Sequence, residues 1–269
     1  MNECKIGAPF QYPASYIQFL AFLKIGFKIP YRTVQGIVRG LSDYVKIEEM
    51  HFTHIRRRML NIKLSSIGEL NFEENGEPIT LIVDDASGLT VSKKGDYIDE
   101  KWIREKKEFI IKLHIAVDDE KSKKVISFRI TKKGNDVHDT KKFGPLIKEA
   151  AEKHGINKVH ADKAYDNRRN NFNILDDDIN IEPAIIIRKN ASTTKSNGCP
   201  LRRDEVFLIK RLGFERWKQL KDIGRMWIAE IVFSSIKRVF GEDLLSKKFN
   251  AQKIEAGLKV MLYNQFMNL

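Results

Sequence analysis

The segment Ile79-Thr80-Leu81-Ile82-Val83, followed at once by Asp84-Asp85, decides the fold class of this chain. A short β-branched and aliphatic run that is bounded by turn-forming residues predicts a buried strand. Two acidic residues directly follow its last position. Because ligands of α/β sheets gather at the carboxyl ends of the strands, the same segment predicts where a functional site would lie.

The segments that follow extend this strand into a mixed sheet. Apolar residues occupy every second position over residues 109–117, which is the period of a strand. A turn-forming stretch leads into further strand-like residues over 125–130, so the two runs predict an antiparallel hairpin. Further strands are predicted at 158–161 and 183–187, and an exposed loop over the polar residues 188–203.

Helical periodicity dominates both ends of the chain. Apolar residues recur at helical spacing between residues 14 and 63, and the last of these helices, over 54–62, has Thr53 as its predicted N-cap. Helices are also predicted over 139–154, 225–240 and 251–266. We therefore predict a small helical, helix-turn-helix-like region over residues 1–70, and an α/β domain with a mixed sheet flanked by helices over residues 71–269.

The composition limits the class of protein. Of 269 residues, 48 are Lys or Arg and 36 are Asp or Glu, which gives a net charge of +12, and 42% are hydrophobic. This balance excludes an intrinsically disordered chain, and the positive surplus favours nucleic acid as the partner. The longest apolar stretch, 16–27, is shorter than the roughly 20 residues of a membrane span. Because a signal-peptide pattern is also missing at the start, we expect a soluble, cytoplasmic protein without membrane contact.

The two cysteines, Cys4 and Cys199, are too few for a disulfide framework or a cysteine-based zinc site. The run Arg56-Arg57-Arg58 is more informative, because it lies on the last of the predicted N-terminal helices. A helix with three consecutive arginines suits contact with the phosphates of double-stranded DNA. The alternative is a helical subdomain whose basic face is only solvated.

Acidic residues follow two of the predicted strands. Asp84-Asp85 follows the strand at 79–83, and Asp162 follows the strand at 158–161. Carboxylates suit hard cations such as Mg²⁺ or Mn²⁺, and two such ions can stabilise the attacking and leaving oxygens of a phosphodiester displacement. The alternative is that these aspartates only begin turns, as aspartate commonly does.

The predicted helix over 225–240 offers a third carboxylate. Glu230 and Lys237 are nearly two turns apart and share a face, about 10 Å apart along the axis, which is too far for an ordinary ion pair within a helix. Glu230 is therefore a candidate site residue, and the alternative is that Glu230 and Lys237 form a solvated charged face. The predicted apolar stripe of this helix consists of Ile228, Ile231, Val232, Ile236 and Val239.

Four segments, taken in order, resemble the DDE transposases of bacterial and archaeal insertion sequences. They are Pro30-Tyr31-Arg32-Thr33-Val34-Gln35-Gly36 with Thr53-His54-Ile55-Arg56-Arg57-Arg58, then Asp85-Ala86-Ser87-Gly88-Leu89 with Lys112-Leu113-His114, then Ala161-Asp162-Lys163-Ala164-Tyr165-Asp166, and lastly Trp227-Ile228-Ala229-Glu230 continuing through Glu242. The resemblance runs from about residue 30 to the C-terminus. Its last two segments are the most specific.

This resemblance implies an RNase H-like fold and a DDE triad. The family's first aspartate precedes a small residue, a hydroxyl residue and a glycine, which assigns it to Asp85 rather than Asp84. The resemblance thus implies that Asp85, Asp162 and Glu230 are the catalytic residues and the ligands of two Mg²⁺ or Mn²⁺ ions. Lys237 and Arg238 are then expected to contact DNA phosphate near the bond that is cut.

The implied activity is DNA transposition, with metal-dependent strand cleavage and strand transfer at the ends of an insertion sequence. The implied partners are terminal inverted repeats, target DNA and a second copy of the chain, at the nucleoid. Two alternatives stay open: an inactive or domesticated DNA-binding protein derived from such an element, and an RNase H-like nuclease. Met226 stands where the family commonly has an arginine, and Arg225 precedes it, so the role of Arg225 stays open as well.

Overall fold

A computed structural model describes residues 12–62, 78–91, 110–119, 122–132, 140–166, 171–177, 181–188, 191 and 199–267. Its helices are α1 (Ala14–Gly26), α2 (Tyr31–Ser42), α3 (Phe52–Leu60), α4 (Thr140–Ala151), α5 (Phe172–Asp177), α6 (Pro200–Leu212), α7 (Phe214–Leu220), α8 (Trp227–Phe240) and α9 (Phe249–Phe266). Its strands are β1 (Ile79–Val83), β2 (Ser87–Val91), β3 (Ile110–Asp118), β4 (Val125–Lys132), β5 (Ile156–Ala161), β6 (Glu182–Ile185) and β7 (Asp243–Leu244). A short 3₁₀ turn spans Lys163–Tyr165.

All seven described strands belong to one mixed sheet. β1 and β2 pair with different halves of β3, at residues 116–118 and 110–113 respectively, and β4 pairs with β3 antiparallel over residues 111–117. β5 pairs with β1 and β6 with β5, both in parallel, while β7 adds to β2. The order β4-β3-β1-β5-β6 has three antiparallel strands followed by two that run parallel to β1. This is the strand order of an RNase H-like fold.

Helices cover both faces of the sheet. The side covered by α1, α2, α3, α8 and α9 we call the bundle face, and the side covered by α4, α5, α6 and α7 the α4 face. Successive strand residues alternate between the two, so Ile82 packs on the bundle face while Leu81 and Val83 pack on the α4 face. β1 is buried on both sides, which explains its almost uninterrupted apolar sequence.

The N-terminal helices share a core with the bundle face. Ile55 and Met59 lie one turn apart on α3 and are fully buried in the same cluster as Leu20 of α1 and Leu258 of α9. The N-cap of α3 is His51, whose ring accepts a hydrogen bond from the Thr53 amide, so the prediction of Thr53 as the cap was wrong. The α2–α3 connection, residues 43–51, is longer than the turn of about three or four residues in a helix-turn-helix. The predicted boundary near residue 70 lies outside the described residues.

The structure confirms most of the predicted elements. The strand 79–83, the antiparallel hairpin, the strands near 158–161 and 183–187 and the helices at both ends are present. Position 109, where the predicted alternation began, is not among the described residues.

Five elements of the structure were not predicted: the strands β2 and β7 and the helices α5, α6 and α7. β2 is short and contains Gly88, and it is a strand because it pairs with β3, with Leu89 opposite Ile111. The loop predicted over 188–203 was wrong at its end, because Pro200 begins α6 and Cys199 and Arg202 are buried. No helix in the described part of the chain combines the length and apolar character needed to cross a bilayer.

Candidate active site

Asp84 and Asp162 follow two neighbouring parallel strands. The register of β1 and β5 pairs Val83 with Ala161, so the next residue of each strand, Asp84 and Asp162, comes to the same place at the carboxyl ends. Val83 and Ala161 both pack on the α4 face. Alternation therefore directs the two aspartates toward the bundle face, where α8 packs. Asp84 and Asp162 are half-buried, and Asp85 is exposed.

Glu230 lies in the first turn of α8 and is exposed. The buried face of this helix consists of Ile228, Ala229, Val232, Phe233, Ile236 and Phe240. The predicted stripe was therefore wrong at Ile231 and Val239, which are 44% and 45% exposed. The helix is rotated so that Ala229 and Phe233 fill the core, and the exposed face includes Glu230 together with Ile231.

The negative charges of Asp85, Glu230 and Asp162 all act on Asp84. Burial raises the pKa of Asp84, and the negative charges of Asp85, Glu230 and Asp162 raise it further, against a hydrogen bond from the Asp85 amide at 2.8 Å. The charges of Asp162 and Glu230, which are distant in sequence, are therefore within electrostatic range of Asp84. The structure thus brings the aspartate pair, Asp162 and Glu230 into one electrostatic neighbourhood.

His160, two residues before Asp162 on β5, adds no positive charge to the acidic site. His160 is buried on the bundle side of β5, and burial lowers its pKa to about 4, with the charges of Lys158 and Arg225 acting in the same direction. At pH 7 the imidazole is therefore neutral. Among the described residues, no Lys or Arg forms an ion pair with Asp84, Asp162 or Glu230.

The donor chemistry of this acidic site fits a hard divalent cation, because carboxylate oxygens are the ligands such ions prefer. A cation would also relieve the repulsion that raises the pKa of Asp84. The distances between the side chains do not yet form a metal site. Within the ranges that the structure describes, no three His, Cys, Asp or Glu side chains are grouped closely enough to hold a metal. The structure therefore shows the charge cluster, and it does not show a closed coordination set.

Tyr165 and Asp166 fix the backbone around the site. The Tyr165 hydroxyl donates to the Asp84 carbonyl oxygen at 2.9 Å, and its amide donates to the Asp162 carbonyl oxygen at 2.9 Å. The buried Asp166 carboxylate accepts from the Arg202 guanidinium, at 2.9 Å from Nη2, and from the Arg188 amide at 3.0 Å. Sequence reasoning missed Arg202, because it lay in a predicted exposed loop far along the chain.

Arg225 has a structural role. Its guanidinium pairs with the buried carboxylate of Asp119 at 2.6 Å and with Asp222. The Asp119 side chain is 1% exposed, and burial raises its pKa even though the Arg225 charge opposes this. Arg225 therefore holds the segment before α8 against the end of β3. These contacts do not involve the acidic site.

The predicted phosphate-binding residues lie on the surface. Lys237 is half-buried and Arg238 is exposed on α8, and Arg56, Arg57 and Arg58 are all exposed on α3. Ile55 and Met59 anchor α3 in the core, so the arginines between them face outward. This placement leaves both sets accessible, and their contact with DNA stays a prediction.

Comparison with known proteins shows the family. A family model described as "Transposase DDE domain" matches residues 76–265, and a second model with the same description matches residues 1–94. The chain belongs to the DDE transposase domain family, which generally uses divalent metal ions. Among solved structures it is similar to the crystal structure of the Mos1 strand transfer complex, with 14% identity over 99% of this chain and 79% of that chain and a TM-score of 0.33.

Proposed function

We propose that this protein is a DNA transposase that cuts and joins DNA strands at the ends of a prokaryotic insertion sequence. The observation that carries the proposal is the acidic site at the carboxyl ends of β1 and β5, where the charges of Asp162 and Glu230 act on Asp84. Membership of the DDE transposase family supports it.

In this proposal Asp85, Asp162 and Glu230 are the catalytic carboxylates and hold two Mg²⁺ or Mn²⁺ ions. Asp84 adds a fourth negative charge beside them. Exposed Glu230 and Asp85 can rotate among their rotamers at low energetic cost to complete the set. Bound divalent ions supply Lewis-acid activation of water and of the DNA 3′-hydroxyl.

The remaining roles fall to basic residues. Lys237 lies on α8 between Glu230 and the C-terminal end of that helix, where it and exposed Arg238 attract the phosphate beside the bond that is cut. Arg56, Arg57 and Arg58 bind the duplex of the terminal inverted repeats. The net charge of +12 supports a polyanionic partner. We propose a homodimer in the active complex, in a cytoplasmic protein associated with the nucleoid.

Strand transfer by the purified protein tests this proposal. The substrate is labelled duplex that carries the terminal inverted repeats from the flanks of the gene, together with plasmid target, with Mg²⁺ or with EDTA. Joined products that require Mg²⁺ are expected. Metal-dependent cuts without joining would instead identify an RNase H-like nuclease. DNA binding without either product would identify an inactive or domesticated derivative, and Met226 would be the first residue to revert to arginine.

A further inference from the structure

A cavity of about 150 Å³ lies at the C-terminal end of α8, away from the acidic site. Lys24 and Lys28 from the end of α1 line it, together with Lys259 of α9. Lys24 is 6% exposed and Lys259 is 2% exposed, whereas Lys28 is exposed at the rim. Two ammonium groups are therefore buried beside one small cavity, and a third stands at its entrance.

The acidic residues that line the cavity are already engaged. The Glu255 carboxylate accepts hydrogen bonds from the Leu245 amide at 2.8 Å and the Ser246 amide at 2.9 Å. The Asp243 carboxylate accepts from the Thr90 hydroxyl. Within the part of the chain that the structure describes, Lys24, Lys28 and Lys259 form no ion pair with a carboxylate.

The positive charges of Lys24 and Lys28 act on Lys259 across the cavity. Burial lowers the pKa of Lys24, and it lowers the pKa of Lys259 to about 8, with the charges of Lys28 and Lys24 acting in the same direction. Glu255 and Asp243 oppose this only in part. Such a site is favourable only when something compensates the positive charge, and an anion in the cavity would do so.

Of the two buried lysines, Lys259 has hydrogen bonds that explain its burial, and Lys24 has none to any residue that the structure describes. Lys259 donates to the carbonyl oxygens of Gly241 at 2.7 Å and Asp243 at 2.8 Å, and so caps the end of α8. The left-handed Gly241 also makes room for Lys28, since a Cβ there would lie 2.9 Å from the Lys28 ammonium nitrogen. The Lys24 ammonium nitrogen lies 4.8 Å from the centre of the Tyr31 ring, and the negative charge of Glu255 acts on it.

The cavity neighbours the basic helix α3. The Tyr31 ring lies beneath the Lys24 ammonium, and the charge of Arg56 acts on the Tyr31 hydroxyl, so Tyr31 stands between the cavity and α3. α1 and α3 also pack against each other. A polyanion that lies along Arg56, Arg57 and Arg58 therefore passes close to this cavity.

We propose that the pocket formed by Lys24, Lys28 and Lys259 binds a backbone phosphate of the DNA that contacts α3. A phosphate offers several strong acceptor oxygens, which match a third N–H of Lys259 and the ammonium groups of Lys24 and Lys28. This inference rests on the proposed function, since it takes DNA as the ligand. The pocket adds a second DNA-binding position, on the side of Tyr31 opposite to Arg56, Arg57 and Arg58.

The test compares Lys24→Met and Lys28→Met with Lys141→Met, a matched control on the exposed surface of α4 at the other face of the sheet. Binding to terminal-repeat duplex is measured by fluorescence anisotropy over a series of salt concentrations. Each pocket variant should bind about tenfold more weakly at fixed salt. Its plot of log K against log salt should be shallower by about 0.9 for each phosphate that the variant no longer neutralises, while the control matches wild type. If Lys24→Met fails to fold, the exposed Lys28→Met still gives the measurement.

A second arm uses inorganic phosphate and thermal unfolding. Phosphate should raise the Tm of wild type and not of Lys24→Met. Wild-type protein that binds DNA, with both pocket variants unchanged in affinity and salt slope, would overturn the pocket and leave the proposed function standing. Wild type that binds no DNA, but gains Tm from phosphate through Lys24, would overturn the DNA assignment together with the proposed function and leave a free-anion site.

Discussion

The Tyr165 hydroxyl donates a hydrogen bond of 2.9 Å to the carbonyl oxygen of Asp84. Tyr165 ends the short turn that begins with Asp162, so this bond joins the backbone segments of the two strand-terminal aspartates. The ring is 1% exposed and packs against Phe143 at 5.6 Å between centroids. It therefore links the backbone at Asp84 to the turn that follows Asp162.

Tyr165→Phe keeps the ring and removes this bond. The variant should lose about 1 kcal/mol of unfolding free energy and should cleave DNA more slowly, because Asp84 and Asp85 are less well positioned. Tyr263→Phe is the matched control, since its buried hydroxyl donates to the Lys123 carbonyl oxygen at 3.0 Å. Urea unfolding and single-turnover cleavage are measured on both. Equal cleavage by the two variants would mean that Tyr165 is only structural.

The adjacent aspartates should behave differently. Asp85→Asn should abolish Mg²⁺-dependent cleavage. Asp84→Asn should stabilise the metal-free protein, by on the order of 1 kcal/mol after allowance for solvent screening, because it removes repulsion from Asp85, Glu230 and Asp162. Chemical unfolding in EDTA and a cleavage assay give the two values. Cleavage that survives Asp85→Asn and disappears in Asp84→Asn would transfer the first triad position to Asp84.

Arg225→Ala should affect stability and leave the chemistry intact. It leaves the buried Asp119 carboxylate unpaired, and a loss of about 2 kcal/mol is expected for this partly exposed pair. The double variant with Asp119→Asn should recover part of that loss. Thermal unfolding and cleavage at a temperature where both proteins are folded provide the comparison. Normal stability with lost cleavage would place Arg225 in the active site instead.

The lysine cavity predicts that stability rises with pH in one window. The pKa of Lys259 in the folded protein is about 8, below the ordinary value of 10.5, so the unfolded chain holds more protons between about pH 8 and pH 10. The unfolding free energy should therefore increase there, by up to about 1.4 kcal/mol per pH unit. Above pH 10 the trend reverses, because Tyr31 and Tyr263 have folded-state pKa values of about 12.

Urea unfolding at a series of pH values measures this effect. The charges that face Lys259 are Lys24 from α1, Lys28 from the segment just after α1, Asp243 from β7 and Glu255 from its own helix. Lys259→Met should flatten the rise, since the titrating group is gone. A stability that is constant or falls between pH 8 and pH 10 in wild type would contradict the folded-state charge of this cavity.

The elements that could be predicted from the sequence are those whose buried faces consist of apolar residues. β1 is buried on both faces and so has a continuous apolar run, and α8 has enough apolar residues for a helix to be predicted. α6 and α7 were missed because their buried residues are partly polar. Buried Arg202 forms an ion pair with Asp166, and the indole N–H of buried Trp217 donates a hydrogen bond to the Glu205 carboxylate at 2.8 Å. Polar pairs of this kind look solvent-exposed until both partners are known.

The sequence indicated which carboxylates are candidates for the site, and it did not indicate how they are arranged. A strand end and a motif identified the aspartate pair and Asp162. The bond from Tyr165 to Asp84 depends on the register of β1 and β5, which places Val83 beside Ala161. That register is fixed by pairing between strands that are distant in sequence, so no local sequence pattern predicts it. The exposed position of Ile231 beside Glu230 likewise depends on how α8 packs on the sheet.

The measurement that tests the central claim most directly is cleavage by Asp162→Asn. The substitution keeps the size and hydrogen-bonding capacity of the side chain and removes the charge that a hard cation requires. Terminal-repeat duplex is incubated with wild type or variant, in Mg²⁺ or EDTA, and binding is measured in parallel. We predict that the variant binds DNA as tightly as wild type and yields no Mg²⁺-dependent nicks or joined products. Cleavage by the variant at the wild-type rate would contradict the assignment of Asp162 and of the acidic site at the ends of β1 and β5.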